Sequence, residues 1–423
     1  MARFAIRGRT LTSLPPTTTI LLVLLAPIVI SGGYWFAVLY RVIRARRLVP
    51  AISQALEDSG KADAPASGPL ISIIVPAHNE EDEIAACATT LLAQDYGNFE
   101  VIIVLDRCTD ATADRLAKFK ADARLRIVQN ESCPPDWAGK CNAAWVGARE
   151  AKGAWLLFTD ADTHFDPALV RAAMKMAERR GLDLLSLLST LSSQRWFERV
   201  VQPVASMTLM RLYPIDRVNR PGTKRNFANG QFMLISRAMY EKSGGHGAVK
   251  HSLLEDIALA RAVRKAGGGG EIFFDSGMLR CSMYTSFPAF REGWKRIFID
   301  ACRRRPWRLR KNALRLLLLG VGDPLWRAAA IVISIIALVN GDGSALVPAI
   351  VLAAAILTGA AKHAALLATY RAGRAPAAAV VFYSWGAVEL ARIMFEGARV
   401  LSRRTPIRWG GREYILEPQG PWN

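Results

Sequence analysis

The chain has 423 residues, 51% of them hydrophobic, and a formal net charge of +19 at pH 7. That apolar fraction excludes a disordered chain, and the positive excess points to an anionic partner or surface. Six cysteines without a close Cys-x-x-Cys pair give neither a zinc site nor a disulfide scaffold, which leaves reduced cytosolic thiols.

The first predicted element is the apolar segment Thr19 to Val42, long enough for a bilayer at about 20 residues. A secretory signal has a shorter apolar core and a cleavage site. Here Arg44-Ala45-Arg46-Arg47 follows directly, so residues 1–47 are expected to be an uncleaved anchor. Arg3, Arg7 and Arg9 precede it. Residues 48–70, with Pro, Ala, Ser, Gly and mixed charges, read as a linker.

From residue 71 to about 180, strand and helix patterns alternate, which predicts βαβ units and a mainly parallel sheet. The strand Ile71 to Val75 runs into Pro76-Ala77-His78-Asn79-Glu80. A second, Phe99 to Leu105, ends on Asp106 and precedes Asp110-Ala111-Thr112. A third, Leu125 to Val128, comes before Gly139-Lys140-Cys141-Asn142-Ala143 at the start of a helix. Most telling, Ala154-Trp155-Leu156-Leu157-Phe158 stops at Thr159-Asp160-Ala161-Asp162. If extension continues through Ala161, both carboxylates point the same way, and a divalent cation is the simplest means of holding them together. Oxygen ligands suit Mg²⁺ or Mn²⁺, with substrate phosphates completing the shell. The same residues also fit a plain acidic turn. Ligands of such sheets bind at strand carboxyl ends, where Asp106, Asp160 and Asp162 all fall.

Further on come Ala228-Asn229-Gly230-Gln231-Phe232 and Leu254-Glu255-Asp256-Ile257-Ala258. This ordered set resembles the family 2 glycosyltransferases of GT-A fold over roughly residues 70 to 300. Within that family it is most similar to the hopene-associated glycosyltransferases of bacterial hopanoid clusters, and more distantly to ceramide glucosyltransferases. The resemblance implies a Rossmann-like mixed α/β sheet that binds a nucleotide-sugar donor. Pro76, Ala77, Asn79, Glu80 and Asp106 then correspond to the part that holds the nucleoside. Many relatives have Asp-Asp where this chain has Leu105-Asp106. Asp160 and Asp162 would hold the metal against the diphosphate, with Lys140 adding a point charge; alternatively Lys140 is a solvated helix-start lysine. Asp256 matches the family's general base, which suffices for an inverting transfer. Glu255 is either a neighbour that tunes Asp256 or, with it, an acidic helix opener. The family's Gln/Arg-x-x-Arg-Trp landmark is replaced by Arg291-Glu292-Gly293-Trp294-Lys295-Arg296. Arg291, Trp294 and Lys295 or Arg296 are therefore candidates for acceptor or diphosphate contact, Trp294 being otherwise an interfacial anchor. His246, read as part of a flexible Gly-rich loop, is a candidate for the acceptor pocket.

The basic run Arg303-Arg304-Arg305, Arg308, Arg310, Lys311 and Arg315 is interleaved with Trp and Leu. No nucleic-acid fold signature accompanies it, so residues 301–320 are expected to lie on anionic lipid headgroups. Residues 321–401 hold further spans: Ala328 to Val339 with its flanks, Ala345 to Thr369, and Ala377 to Leu401. The last carries Glu389, Arg392, Glu396 and Arg399 at helical spacing, able to pair with one another, so it is expected to lie partly in the interface or inside a bundle. Residues 402–423 form a basic tail. The whole reads as a GT-A domain (residues 71–300) with transmembrane helices, multi-pass in the bacterial inner membrane, catalytic domain cytoplasmic. It would glycosylate a membrane lipid hydroxyl, a hopanoid by resemblance. Rivals are a polyprenyl-phosphate glycosyltransferase, a polysaccharide synthase, and a non-catalytic membrane scaffold.

Overall fold

The computed structural model describes residues 15–57, 68–220, 223, 227–341 and 344–419. Arg3, Arg7, Arg9 and residues 58–67 of the expected linker lie outside them. The strands, in chain order, are β1 (Ile71–Ala77), β2 (Phe99–Asp106), β3 (Leu125–Asn130), β4 (Trp155–Phe158), β5 (Thr163–Phe165), β6 (Leu184–Leu188), β7 (Thr190–Leu191), β8 (Met233–Ser236), β9 (Gly270–Phe274), β10 (Leu279–Cys281), β11 (Ile407–Trp409) and β12 (Arg412–Tyr414). Seven form one mixed sheet in the order β3-β2-β1-β4-β8-β6-β9. β1 pairs in parallel with both β2 and β4, whereas β8 runs antiparallel to β4 and β6. Ile71, Ile73, Ile74 and Val75 of β1 are buried, as continuous apolar strands covered on both faces must be. β5, β10 and β7 make a second small sheet beside the carboxyl end of β4.

Eight helices position the site and its apolar helical support. They are α1 (Pro16–Leu48), α2 (Gly139–Glu150), α3 (Glu255–Lys265), α4 (Phe287–Ala301), α5 (Pro306–Leu317), α6 (Asp323–Asn340), α7 (Leu346–Ala372) and α8 (Tyr383–Arg403). Among the described residues, four helical stretches are long and apolar enough to cross a membrane: Pro16–Leu48, Pro306–Asn340, Leu346–Ala372 and Ala377–Arg403. α1, α6 and α7 pack on one another around Leu21, Ile28, Ala330, Val351 and Ala355. Asp323, fully buried, joins all three helices through Ser31, Arg327 and Lys362. Removing one partner of such a set would strand a buried charge, so the set fixes helix register.

Two boundaries differ from expectation. The linker does not begin at residue 48: Val49 and Ile52 are buried, and Ile52 N donates to Phe274 O at 2.9 Å, so this stretch edges the main sheet beside β9. The basic segment is not separate from the next span, because α5 continues through the wider turn Leu318–Gly322 into α6. α8 lies against α5, with Ala387 meeting the Gly320 turn and Ser402 meeting Arg310. Its acidic and basic groups do not all pair along one face. Arg392 pairs with Glu389, but Glu396 reaches across to Arg291 at 2.8 Å and Lys295 at 2.9 Å. The tail is not a loose basic stretch either: β11 and β12 form a hairpin that returns to the sheet's carboxyl edge.

Candidate active site

β4 stops at Phe158, and Thr159 N still donates to Ile74 O at 3.1 Å. Beyond it the chain turns: the Thr163 hydroxyl donates to Asp160 O at 2.7 Å. Asp160 and Asp162 are therefore brought together by a turn, not by continued strand alternation. Burial first, then the Asp160 charge, push the Asp162 carboxyl up to about 7. Glu80, at the end of β1, is pushed up to about 8 by burial and then by Asp162 and Asp160. Glu80 thus feels the charge of both aspartates, and Lys140 contacts Asp160.

Lys140 sits in the first turn of α2 and bridges Asp160 at 2.6 Å and Glu255 at 2.7 Å. Burial works against its ammonium, but these two carboxylates overcome that and hold its pKa well above the ordinary lysine value. It is no solvated surface lysine. Glu255 and Asp256 open α3, and Glu255 is spent on Lys140. Asp256 Oδ2 accepts from Gly230 N at 2.9 Å, and Oδ1 accepts from Ile257 N at 2.7 Å. Burial and the adjacent Glu255 charge push the Asp256 carboxyl up to about 7, a value suited to proton transfer near neutrality. The Ala228–Phe232 motif thus supplies a backbone donor to the candidate base.

No three His, Cys, Asp or Glu side chains among the described residues close up into a protein-only metal cage. A magnesium–phosphate complex needs only one or two carboxylates, so the Asp160/Asp162 pair fits that group. Cys281 of β10 donates to Asp162 Oδ1 at 3.4 Å and receives Gln231 Nε2 at 2.8 Å. Burial and Asp162 hold the Cys281 thiol protonated, well above its ordinary pKa. Sequence reasoning missed Cys281; a lone cysteine on a short strand gives no signal.

At the end expected to hold the nucleoside, Asn79 takes a left-handed backbone (φ 57°), its Oδ1 accepting from Thr109 N at 2.8 Å. Thr112 Oγ1 accepts from Glu80 N at 2.8 Å, so the Asp110-Ala111-Thr112 block braces the loop after β1. Pro76 and Ala77 are paired within the sheet against Val104 and Leu105. Asp106 is already occupied. Arg107 grips it with bonds of 3.1 and 2.6 Å and Asn130 donates at 2.7 Å, leaving it 3% exposed. In this arrangement it orders Arg107 instead of presenting a free carboxylate.

A cavity of about 370 Å³ unites the rest. Lys140, Asp160, Glu255 and Asp256 line one end; Tyr34, Val38 and Val42 of α1, Met207, Met210, and Thr369 and Tyr370 of α7 line the other. Trp294 and Arg296 also face it. Trp294 is 2% exposed, so it is no outward interfacial anchor, and its indole N–H has no partner among the described residues. Arg296 donates to Leu253 O at 2.7 Å and lies over the Trp409 ring at 4.1 Å. Three candidates fall elsewhere. Arg291 and Lys295 are bound to Glu396 of α8. His246 does not sit in a flexible loop: it is 1% exposed, packed on Phe158 at 4.6 Å and bonded to the Tyr240 hydroxyl at 2.9 Å. Burial lowers its pKa to about 3, making it a neutral core residue.

The chain is similar to known glycosyltransferases. Residues 72–244 match the family model "Glycosyl transferase family 2". Over 96 residues the chain is 36% identical to the UDP-Glc:alpha-D-GlcNAc-diphosphoundecaprenol beta-1,3-glucosyltransferase WfaP of Escherichia coli, covering 23% of this chain and 36% of that one. Over 227 residues it is 25% identical to the 4,4'-diaponeurosporenoate glycosyltransferase of Staphylococcus aureus, covering 53% and 59% respectively. The chain therefore spans less than two-thirds of either relative. A mannosyltransferase of Pyrobaculum calidifontis, solved in complex with GDP-Man and Mn2+, superposes with a TM-score of 0.47 at 19% identity, over 90% of this chain and 99% of that one. Residues 72–244 thus match a family 2 glycosyltransferase domain, and the chain folds on a mixed α/β sheet.

Proposed function

We propose that the protein transfers a sugar from a nucleotide-sugar donor to a hydroxyl of a membrane lipid, with inversion and with a divalent cation, and that the lipid is a hopanoid. The observation that carries the lipid acceptor is the single cavity running from Asp160 and Asp256 to the apolar walls of α1 and α7. A water-soluble acceptor has no need of such walls. The hopanoid assignment rests on the resemblance of motifs.

Asp160 and Asp162 would hold Mg²⁺ or Mn²⁺, which supplies positive charge to the leaving diphosphate. Lys140 and Arg296 contribute further positive charge from the chain itself, aimed at the same cavity. Asp256, its carboxylate fixed by Gly230 N and Ile257 N, takes the acceptor proton as the hydroxyl attacks. Trp294 lines the cavity and offers its ring to the sugar or acceptor.

The membrane reading places the domain on the cytoplasmic face of a bacterial inner membrane, where nucleotide sugars are found. Arg46 and Arg47 at the end of α1, and Arg308, Arg310 and Lys311 on α5, then meet anionic headgroups. α8 packs beside α5, and the tail returns to the domain, which supports three crossings by α1, α6 and α7.

A polyprenyl-phosphate acceptor is the second reading, favoured by Arg41, Arg46 and Arg211 along the same cavity. That acceptor is already an anion and needs no base. Asp256→Asn decides between them. Donor binding by calorimetry should stay near the wild-type value while lipid glycosylation falls by about 10²–10⁴-fold. An unchanged rate would refute the hydroxyl acceptor.

A further inference from the structure

We propose that the C-terminal β-hairpin is a working part of the donor site: Trp409 holds Arg296 toward the diphosphate, and the Gly410–Gly411 tip closes the nucleoside end. This inference rests on the donor reading above. The hairpin lies far beyond residues 72–244, where the family match ends, so nothing in that match assigns it a role.

Its local structure follows from sequence. Gly410 and Gly411 have φ of 55° and 70°, the pair of positive values that a two-residue hairpin turn requires. The buried residues Ile407 and Leu416 anchor its flanks in the core shared by α4, α5 and α8. Every polar anchor then lands on a loop at the carboxyl edge of the sheet. Arg107 Nη2 donates to Gly410 O at 3.2 Å, and Gly139 N, at the head of α2, donates to the Tyr414 hydroxyl at 3.2 Å. Arg412 Nη1 donates to Pro134 O at 3.0 Å and Trp137 O at 2.9 Å, tying the loop before α2. A Cβ added to Gly411 would lie 3.0 Å from His78 Nε2, so the tip sits against the loop after β1.

These contacts bracket the donor, since the loops after β1 and β2 and the head of α2 are where a nucleotide lies on such a sheet. A remote latch would not enter the cavity, but Trp409 lines it and stacks on Arg296, the cation that faces the same space. A guanidinium held against an indole face keeps its orientation without a carboxylate partner, and its charge stays available for phosphate. The hairpin supplies that face.

The test uses full-length protein in detergent, with UDP, GDP, dTDP and ADP in the presence of Mn²⁺ as probes. Wild type should bind at least one of them; failure with all four would refute the donor reading itself. For the nucleotide that binds, Trp409→Ala should raise Kd by roughly 3- to 10-fold, and Trp409→Phe, which keeps an aromatic face, should recover most of the loss. Tyr414→Phe should raise the donor KM while kcat at saturating donor holds. Amides of residues 407–414 should exchange more slowly when the nucleotide is bound, a measurement that needs no variant to fold. A Kd within twofold of wild type for Trp409→Ala, or unchanged exchange in the hairpin, would overturn the proposal.

Discussion

Gly230 donates its backbone N–H to Oδ2 of Asp256 at 2.9 Å, and the same residue leaves the space that the Lys140 ammonium needs. A Cβ built on Gly230 would stand 3.1 Å from Lys140 Nζ, 3.4 Å from Glu255 Oε1 and 3.5 Å from Asp256 Oδ2. One glycine therefore fixes the distance between the candidate base and the cation that bridges Asp160 and Glu255. Gly230→Val should displace Lys140 and lower kcat/KM on the order of 10²-fold, the cost of misplacing a catalytic group by about 1 Å. Thermal unfolding should move little, because the groups pushed aside face the cavity. A fully active Gly230→Val enzyme would show that Lys140 need not sit there.

The Asp256 carboxyl, raised to about 7 by burial and by Glu255, makes activity pH-dependent with a defined sign. Only the ionised form accepts a proton, so kcat/KM should climb with pH and level off above about 7. At pH 6 it should be roughly a tenth of the plateau, as expected one unit below a single controlling pKa. Glu255→Gln removes the neighbouring charge and should move the midpoint to lower pH. A flat profile between pH 5.5 and 8 would argue against Asp256 as the base.

If Asp160 and Asp162 hold a divalent ion, excess chelator should abolish transfer and Mg²⁺ or Mn²⁺ should restore it. Asp162→Ala should lose donor binding as well as turnover, in contrast to Asp256→Asn. The membrane yield of Asp162→Ala should match wild type, since the substitution removes a carboxylate that burial and Asp160 disfavour in its charged form. Full activity in chelator would remove the metal from the reading.

Orientation is checked by paired cysteine substitutions. Arg408, 87% exposed in its side chain, lies on the hairpin, and Asn340 ends α6 at the far side of the bundle. A membrane-impermeant thiol reagent applied to intact spheroplasts should label Asn340→Cys and spare Arg408→Cys until the membrane is opened. Labelling of Arg408→Cys in intact cells would mean either that α8 crosses or that the domain faces outward.

Much of the site was legible because its signals are local. Apolar runs ending on Asp106 and just before Asp160, a glycine-lysine helix start at Lys140, and the acidic helix start at Asp256 are patterns a few residues long. Burial period and strand-end chemistry turn such patterns into position. The Gly410–Gly411 pair was equally readable as a hairpin turn, yet its basic neighbours led residues 402–423 to be read only as a basic tail.

Pairing between distant residues was decided only by the tertiary structure. Asp106 looked free and is consumed by Arg107 and Asn130, whereas His246 looked accessible and is sealed against Phe158 and Tyr240. The four charges of Ala377 to Leu401 looked able to pair with one another, but Glu396 is committed to Arg291 and Lys295 of α4. The physical reason is common to all three. A charge or ring is assigned by the partner that folding brings close, and no local pattern says which one that is, whether next in the chain, as Arg107 is to Asp106, or far along it, as Arg291 is from Glu396. The sequence by itself determined which elements form and which ends carry acid; the packing of those elements determined which acids remain free to act.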